Sequence, residues 1–315
     1  MAVLVSEYTE AILMNIHKVC CLVVQTVLLM GMLPYKLISS IIFPNTPKAF
    51  SSVFITGAGG GIGAEMARQY ASEGVHLTLA DLHTEKLSKV KLQCEKLGAV
   101  VNTISVDVTD KDKMRKAVCA ADDECPLDLV IANAGVNAPT LLNKSSKVLS
   151  DVSSIVTEVN VIGVCNTLSP AIERMRSRKS GQLVITASFL GLLGMMGDKL
   201  TFAYAPSKIW ACTYGMGLRS ILKSENVGVT VVCPGAIKTE LLADLKAKGV
   251  NLDKRAVDCG PAVKQMMQGV GKNVGVVYVN VGILSRLLIG VFGYNLIPPF
   301  LWNESPLVAT SLGTN

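Results

Sequence analysis

The stretch FITGAGGGIGAEMA, residues 54–67, puts five glycines into seven positions (Gly57, Gly59, Gly60, Gly61 and Gly63) between an apolar run and a helical pattern. Glycine loses more conformational freedom on folding than any other residue, so this crowding implies a need for bare backbone. A strand, a tight turn and a helix in that order place the helix N-terminus at the end of the strand. The first N–H groups of a helix have no partner within it and carry partial positive charge, so they bind phosphate. Side chains there would block the approach of a pyrophosphate. Asp81 closes the next apolar run, 18 residues after Gly63. An acid at that place accepts hydrogen bonds from a ribose diol and repels a 2′-phosphate. No basic residue lies among Ala58, Gly59 and Gly60. Turn and acid together predict an NAD(H) site, with NAD preferred to NADP.

Around this site the chain alternates between two periods. SVFIT, VHLTLAD, VVNTISVDV, LDLVIANAG, QLVITAS and VGVTVVCPG read as strands, and VGVVYVN is a candidate seventh. Helical spacing covers 62–72, 84–97, 152–175 and 203–223, and Asp110 is placed to cap a further helix. Strands alternating with helices imply crossover connections. The expectation is therefore an α/β fold: a doubly wound parallel sheet of Rossmann type, in a single domain with an N-terminal apolar anchor helix. The boundaries read as an anchor segment at 1–47, a nucleotide-binding catalytic domain at 48–281 and an apolar tail at 282–315.

Residues 11–33 are mostly apolar and exceed the about 20 residues that span a bilayer as a helix. Glu7 and Glu10 make the leading end acidic and argue against a secretory signal. Lys36 and Lys48 follow the run, an asymmetry that leaves the main domain on the cytoplasmic side. The reading is a membrane-associated protein, at the endoplasmic reticulum or a lipid droplet if eukaryotic. The competing reading is a helix packed on the protein itself. The tail fits a membrane contact, a cover over the site or a subunit interface. The net charge of +6 is interspersed along the chain, which gives no nucleic-acid footprint. Nine cysteines lack metal spacing and read as buried thiols, so no metal is expected.

Tyr204 and Lys208 stand four apart on a predicted helix and share a face. A free phenol titrates at about 10, and a nearby ammonium favours the phenolate. Ser188 ends a strand, where its hydroxyl can bond a substrate oxygen. Together these make a proton-transfer site downstream of a nucleotide site.

The spacing of Thr56, Gly57, Gly61, Ile62 and Gly63 resembles that of the short-chain dehydrogenase/reductase family, and the resemblance runs over residues 51–281. Asp107 and Val108 match the pair that such proteins set beside the adenine. Asn133, Ala134 and Gly135 match a family motif whose first place here is Ala132. Asn160, Ser188, Tyr204, Lys208, Pro234, Gly235 and Thr239 complete the order. The resemblance implies that Asn160, Ser188, Tyr204 and Lys208 are catalytic. It implies that Lys208 also reaches the nicotinamide ribose and that Asn160 holds a water leading to solvent. The gap from Ser188 to Tyr204 is slightly longer than in most members. The expected activity is interconversion of a secondary alcohol and a ketone or aldehyde on a hydrophobic, lipid-like substrate such as a steroid or retinoid. Leu192, Leu193, Met195, Met196, Leu241, Leu242 and Leu245 would supply an apolar lining. The protein is expected to form a homodimer or homotetramer. A membrane-surface nucleotide sensor or scaffold, and a sugar-nucleotide epimerase-type enzyme, are the alternatives.

Overall fold

The computed structural model describes residues 47–137, 149–189, 202–246 and 256–281. The expected anchor at 1–47 (all but its last residue) and the tail at 282–315 lie outside the described residues.

Seven parallel strands form one sheet: β1 Ser52–Thr56, β2 His76–Asp81, β3 Val100–Ser105, β4 Leu129–Ala132, β5 Gln182–Thr186, β6 Gly228–Pro234 and β7 Val276–Val279. Their spatial order is β3-β2-β1-β4-β5-β6-β7. The chain winds outward from β1 to β3, then returns to the middle and winds the other way from β4. The direction reverses between β1 and β4. The helices beside those two strands diverge to opposite faces there, leaving a crevice beyond the strand ends.

The sequence explains the layering. β1, β4 and β5 are buried along their whole length and carry no alternation, as strands covered on both faces must. Edge strand β3 instead alternates between covered and exposed positions. Helix α1 (Gly61–Tyr70) packs against α2 (Thr84–Glu95) and against α8 (Cys259–Gly271). Helix α3 (Lys111–Glu124) packs against α5 (Gly163–Arg178). Phe54, Ile55, Leu77, Leu79, Leu129 and Ile131 are sealed in the core, and burying such a side chain contributes about 1.5–3 kcal/mol. Asp110 caps α3 as its sequence position implied, accepting from the Lys113 N–H at 3.0 Å.

The long helix expected at 152–175 is α4 (Leu149–Thr157) running into α5 through one wide turn, Glu158–Ile162, of i→i+5 bonds. Among the described residues this 30-residue stretch is the one helix long and apolar enough to cross a membrane by length and composition. Val152, Val156, Val164, Leu168 and Met175 are buried in the protein, so its apolar side here is a core face. Two further helices matter for the site: α6 (Tyr204–Leu222) and α7 (Glu240–Lys246).

Candidate active site

The glycine turn sits where β1 ends. Gly57 and Gly61 have φ of +65° and +52°, in the left-handed region where a side chain is strained. Gly63 is demanded by packing instead: a Cβ there would lie 2.2 Å from the Gly57 carbonyl oxygen and 2.6 Å from Asn133 Nδ2. Ile62 packs against the core from the first turn of α1. Gly60, the residue before α1, offers no side-chain cap to the helix. The first N–H groups of α1 therefore face the crevice for an anion from outside, and the residues present fit a dinucleotide.

Asp81 stands at the end of β2 beside this turn. Its Oδ2 accepts from the Gly59 N–H at 2.9 Å and its Oδ1 from the His83 N–H at 3.0 Å. The carboxylate thus holds the turn in shape, a role that sequence reading did not assign. Each oxygen keeps a lone pair for a ribose hydroxyl. Asp107 closes its own turn, accepting from the N–H and hydroxyl of Thr109 at 2.9 and 2.8 Å. The Val108 carbonyl accepts from Asn166 Nδ2 at 2.9 Å, and its side chain lies against Gly163.

Strands β1 and β4 are braced together at the crevice. Thr56 Oγ1 accepts from the N–H groups of Asn133 and Ala134 at 3.0 and 3.2 Å. Asn133 Nδ2 donates to the carbonyls of Thr56 and Gly57 at 3.1 and 3.3 Å. Gly135 leaves room for its neighbours, since a Cβ there would lie 3.2 Å from Asn160 Oδ1 and 3.4 Å from Lys208 Nζ.

Asn160 is fully buried in the wide turn between α4 and α5. Its Oδ1 accepts from the Val136 N–H at 2.9 Å, and its Nδ2 donates to the Val136 carbonyl at 2.9 Å and to Ser207 Oγ at 3.0 Å. Ser207 Oγ in turn donates to the Tyr204 carbonyl at 2.7 Å. The Asn160 amide is therefore engaged with protein groups, and what its side chain does here is fix the loop after β4 to the start of α6. Ser207 was missed from the sequence. Its one signal was adjacency to Lys208 within YAPSK, and the contact across 47 residues had no local mark.

Ser188 is buried just past β5, with its side chain close enough to the Tyr204 phenol to act on it. Tyr204 opens α6, and Lys208 follows one turn later with its Nζ 5.6 Å from the tyrosine ring centroid. Lys208 Nζ donates to the Thr186 carbonyl at 2.9 Å. Burial pulls the Lys208 ammonium down to about 8. The lowering of Tyr204 expected from its lysine is corrected by the structure: burial raises the phenol above its ordinary value, while the Ser188 hydroxyl pulls the other way. The physical reason is that losing water disfavours the phenolate.

Pro234 and Gly235 close β6. The Pro234 carbonyl accepts from the Phe189 N–H at 2.8 Å, which ties the residue after Ser188 to β6. A Cβ on Gly235 would lie 2.6 Å from the Asn280 carbonyl oxygen. Thr239 lies close to the glycine turn: a Cβ on Gly61 would lie 3.4 Å from its methyl group. Of the expected lining, Leu242 is buried and Leu241 is exposed on α7. Leu192, Leu193, Met195, Met196 and the side chain of Leu245 lie outside the described residues.

An uncapped helix end behind a glycine turn, an acid at the end of β2 and a Ser–Tyr–Lys set at adjoining strand ends are the arrangement of a nicotinamide-dependent oxidoreductase. Residues 51–250 match the short chain dehydrogenase family, and the chain belongs to it. Among curated relatives, an uncharacterized oxidoreductase of Myxococcus xanthus is 34% identical over 196 residues, which are 62% of this chain and 75% of that protein. A 3-dehydrosphinganine reductase of Arabidopsis thaliana is 30% identical over 189 residues, 60% of this chain and 55% of that protein. Among solved structures, a short-chain dehydrogenase from Sphingobium yanoikuyae in complex with NADPH superposes with a TM-score of 0.65 at 18% identity, covering 84% of this chain and 96% of that one. At that identity the likeness shows the fold.

Proposed function

We propose that this oxidoreductase interconverts a secondary alcohol and a carbonyl on a hydrophobic substrate, using NAD, with Tyr204 as general acid and base. The observation that carries the reading is the contact of Ser188 with Tyr204 one helical turn from buried Lys208, at the strand ends beside the glycine turn. When bound, a nicotinamide supplies or accepts the hydride. Ser188 positions the substrate oxygen against the Tyr204 hydroxyl, and Tyr204 exchanges the proton with that oxygen. Lys208 holds a donor toward the same region and would reach the nicotinamide ribose. Asn160 and Ser207 keep the start of α6 in register with the loop after β4. Asp81 supports NAD, because a carboxylate beside a 2′-phosphate repels it.

The apolar run at 11–33 supports membrane association, and the relative that reduces 3-dehydrosphinganine supports a long-chain ketone as a first substrate class. Exposed Ile162 and Met216, with the stacked Trp210 and Tyr214 rings on α6, support self-association as a homodimer or homotetramer. The test is a screen of hydrophobic alcohols and ketones with NAD(H) and NADP(H), following absorbance of the reduced cofactor. No turnover of any such compound, with dinucleotide bound, would favour the sensor or scaffold reading. Fractionating the full chain against a form starting at Pro47 tests the anchor. Release of the full chain without detergent would remove it.

A further inference from the structure

Two walls of the dinucleotide groove are joined by one ion pair. Lys86 lies on α2, directly after the strand that ends in Asp81. Glu240 is the first residue of α7, directly after Thr239. They are 154 residues apart in sequence, and Lys86 Nζ meets Glu240 Oε2 at 2.5 Å. The stem of Lys86 runs along the glycine turn: a Cβ on Gly59 would lie 3.1 Å from Lys86 Cβ and 3.0 Å from the Asp81 carboxylate. The Glu240 carboxylate hangs over the next residue, since a Cβ on Gly60 would lie 3.7 Å from its Oε2. Gly60 immediately precedes α1, whose N-terminus carries no side-chain cap.

An acidic side chain therefore stands at the positive end of the helix that a pyrophosphate would use. Its counter-ion lies beside the acid that would hold the adenosine ribose. We propose that Lys86 and Glu240 form a clasp across the groove, in which the Glu240 carboxylate competes with the cofactor's pyrophosphate for the end of α1. This rests on the dinucleotide reading above and deepens it. Binding of the cofactor displaces the carboxylate and leaves Lys86 facing the bound phosphates. Both side chains are substantially exposed, 43% for Lys86 and 72% for Glu240, so water screens the pair and the clasp is weak enough to open. The effect is on affinity, and it acts through phosphate charge.

The test is equilibrium binding of NADH, followed by its fluorescence, to the wild type, Glu240→Gln, Lys86→Met and the double variant. Adenosine, which has no phosphate, is measured by competition against NADH. Removing one negative charge near a screened pyrophosphate should tighten NADH binding in Glu240→Gln by about three- to tenfold. Lys86→Met leaves the carboxylate without its counter-ion and should weaken NADH binding by a similar factor. In the double variant no carboxylate remains for the lysine to neutralise, so only the loss of the Lys86 charge beside the phosphates counts, and NADH affinity should fall between those of Glu240→Gln and the wild type. Adenosine affinity should change less than twofold throughout. Weaker or unchanged NADH binding in Glu240→Gln would show that Glu240 merely anchors α7, and would overturn the clasp. An equal shift for adenosine would do the same, because the effect would then not act through phosphate. If neither wild type nor any variant binds NADH, the cofactor reading itself falls and takes the clasp with it. Because Glu240 is exposed, Glu240→Gln is expected to melt with the wild type by circular dichroism. Lys86→Met supplies the opposite-signed arm.

Discussion

The two halves of the groove are built from different materials. On the side of β1 and β2 the site is bare backbone: glycines at positive φ or in close approach, with one carboxylate holding the turn. On the side of β4 to β6 the site is made of buried polar side chains: Asn160 bonds Ser207 and the backbone of Val136, Lys208 donates to a carbonyl of β5, and Ser188 lies by Tyr204. A backbone site is intolerant of added atoms, whereas a polar network is intolerant of removed ones. Substitutions that add volume should therefore harm the first half. Substitutions that delete a donor or acceptor should harm the second.

The sharpest break between the halves is Tyr204→Phe. It removes one hydroxyl and no packing, so it should lower turnover by about 10² to 10⁴ while NADH affinity and melting temperature stay near wild type. Near-normal turnover in a folded protein would remove the assigned chemistry. Lys208 comes next, and its test is pH. Lys208 is held at about 8 in the fold against an ordinary 10.5, so between those values the unfolded chain binds more protons than the folded one. Stability contributed by this group should then rise with pH. The cost of burying the ammonium is full below about pH 8 and fades toward 10.5. Denaturant melts of wild type and Lys208→Met, taken from pH 7 to 10, should diverge by up to about 3 kcal/mol in favour of the wild type as pH rises. A constant difference would mean that the amine is not desolvated.

For the backbone half, Gly63→Ala should cost about 1–3 kcal/mol of stability and weaken NADH binding, because its methyl would meet the Gly57 carbonyl at 2.2 Å. An undisturbed melt and Kd would show that the turn can give way. The smallest expected effect is that of Asp81→Ala. Loss of its repulsion should narrow the gap between NAD and NADP by about tenfold. Loss of the Gly59 anchor should weaken both cofactors together. A clear NADP preference in the wild type would count against Asp81 as the selecting group and turn attention to Lys86.

Much of this was legible in the sequence, and for local reasons. The strand–glycine–helix turn and the run of apolar strands are set by backbone sterics and by a period of two or 3.6 residues, which a linear reading can see. Asp110 as a cap and the i, i+4 pair of Tyr204 and Lys208 are short-range facts of the same kind. Asp81 was legible by position, but its hold on the Gly59 N–H was not, because that bond depends on how β2 docks beside β1. Only the tertiary structure decided what Asn160 binds, that Ser207 joins the site, and that burial raises rather than lowers the Tyr204 phenol. Only it brought Lys86 to Glu240 across 154 residues. Those outcomes depend on desolvation and on contacts between strand ends far apart in the chain, and neither has a signature in residue order. Sequence chose the elements and the residue types. Folding chose their partners, because it decides which polar groups lose water together.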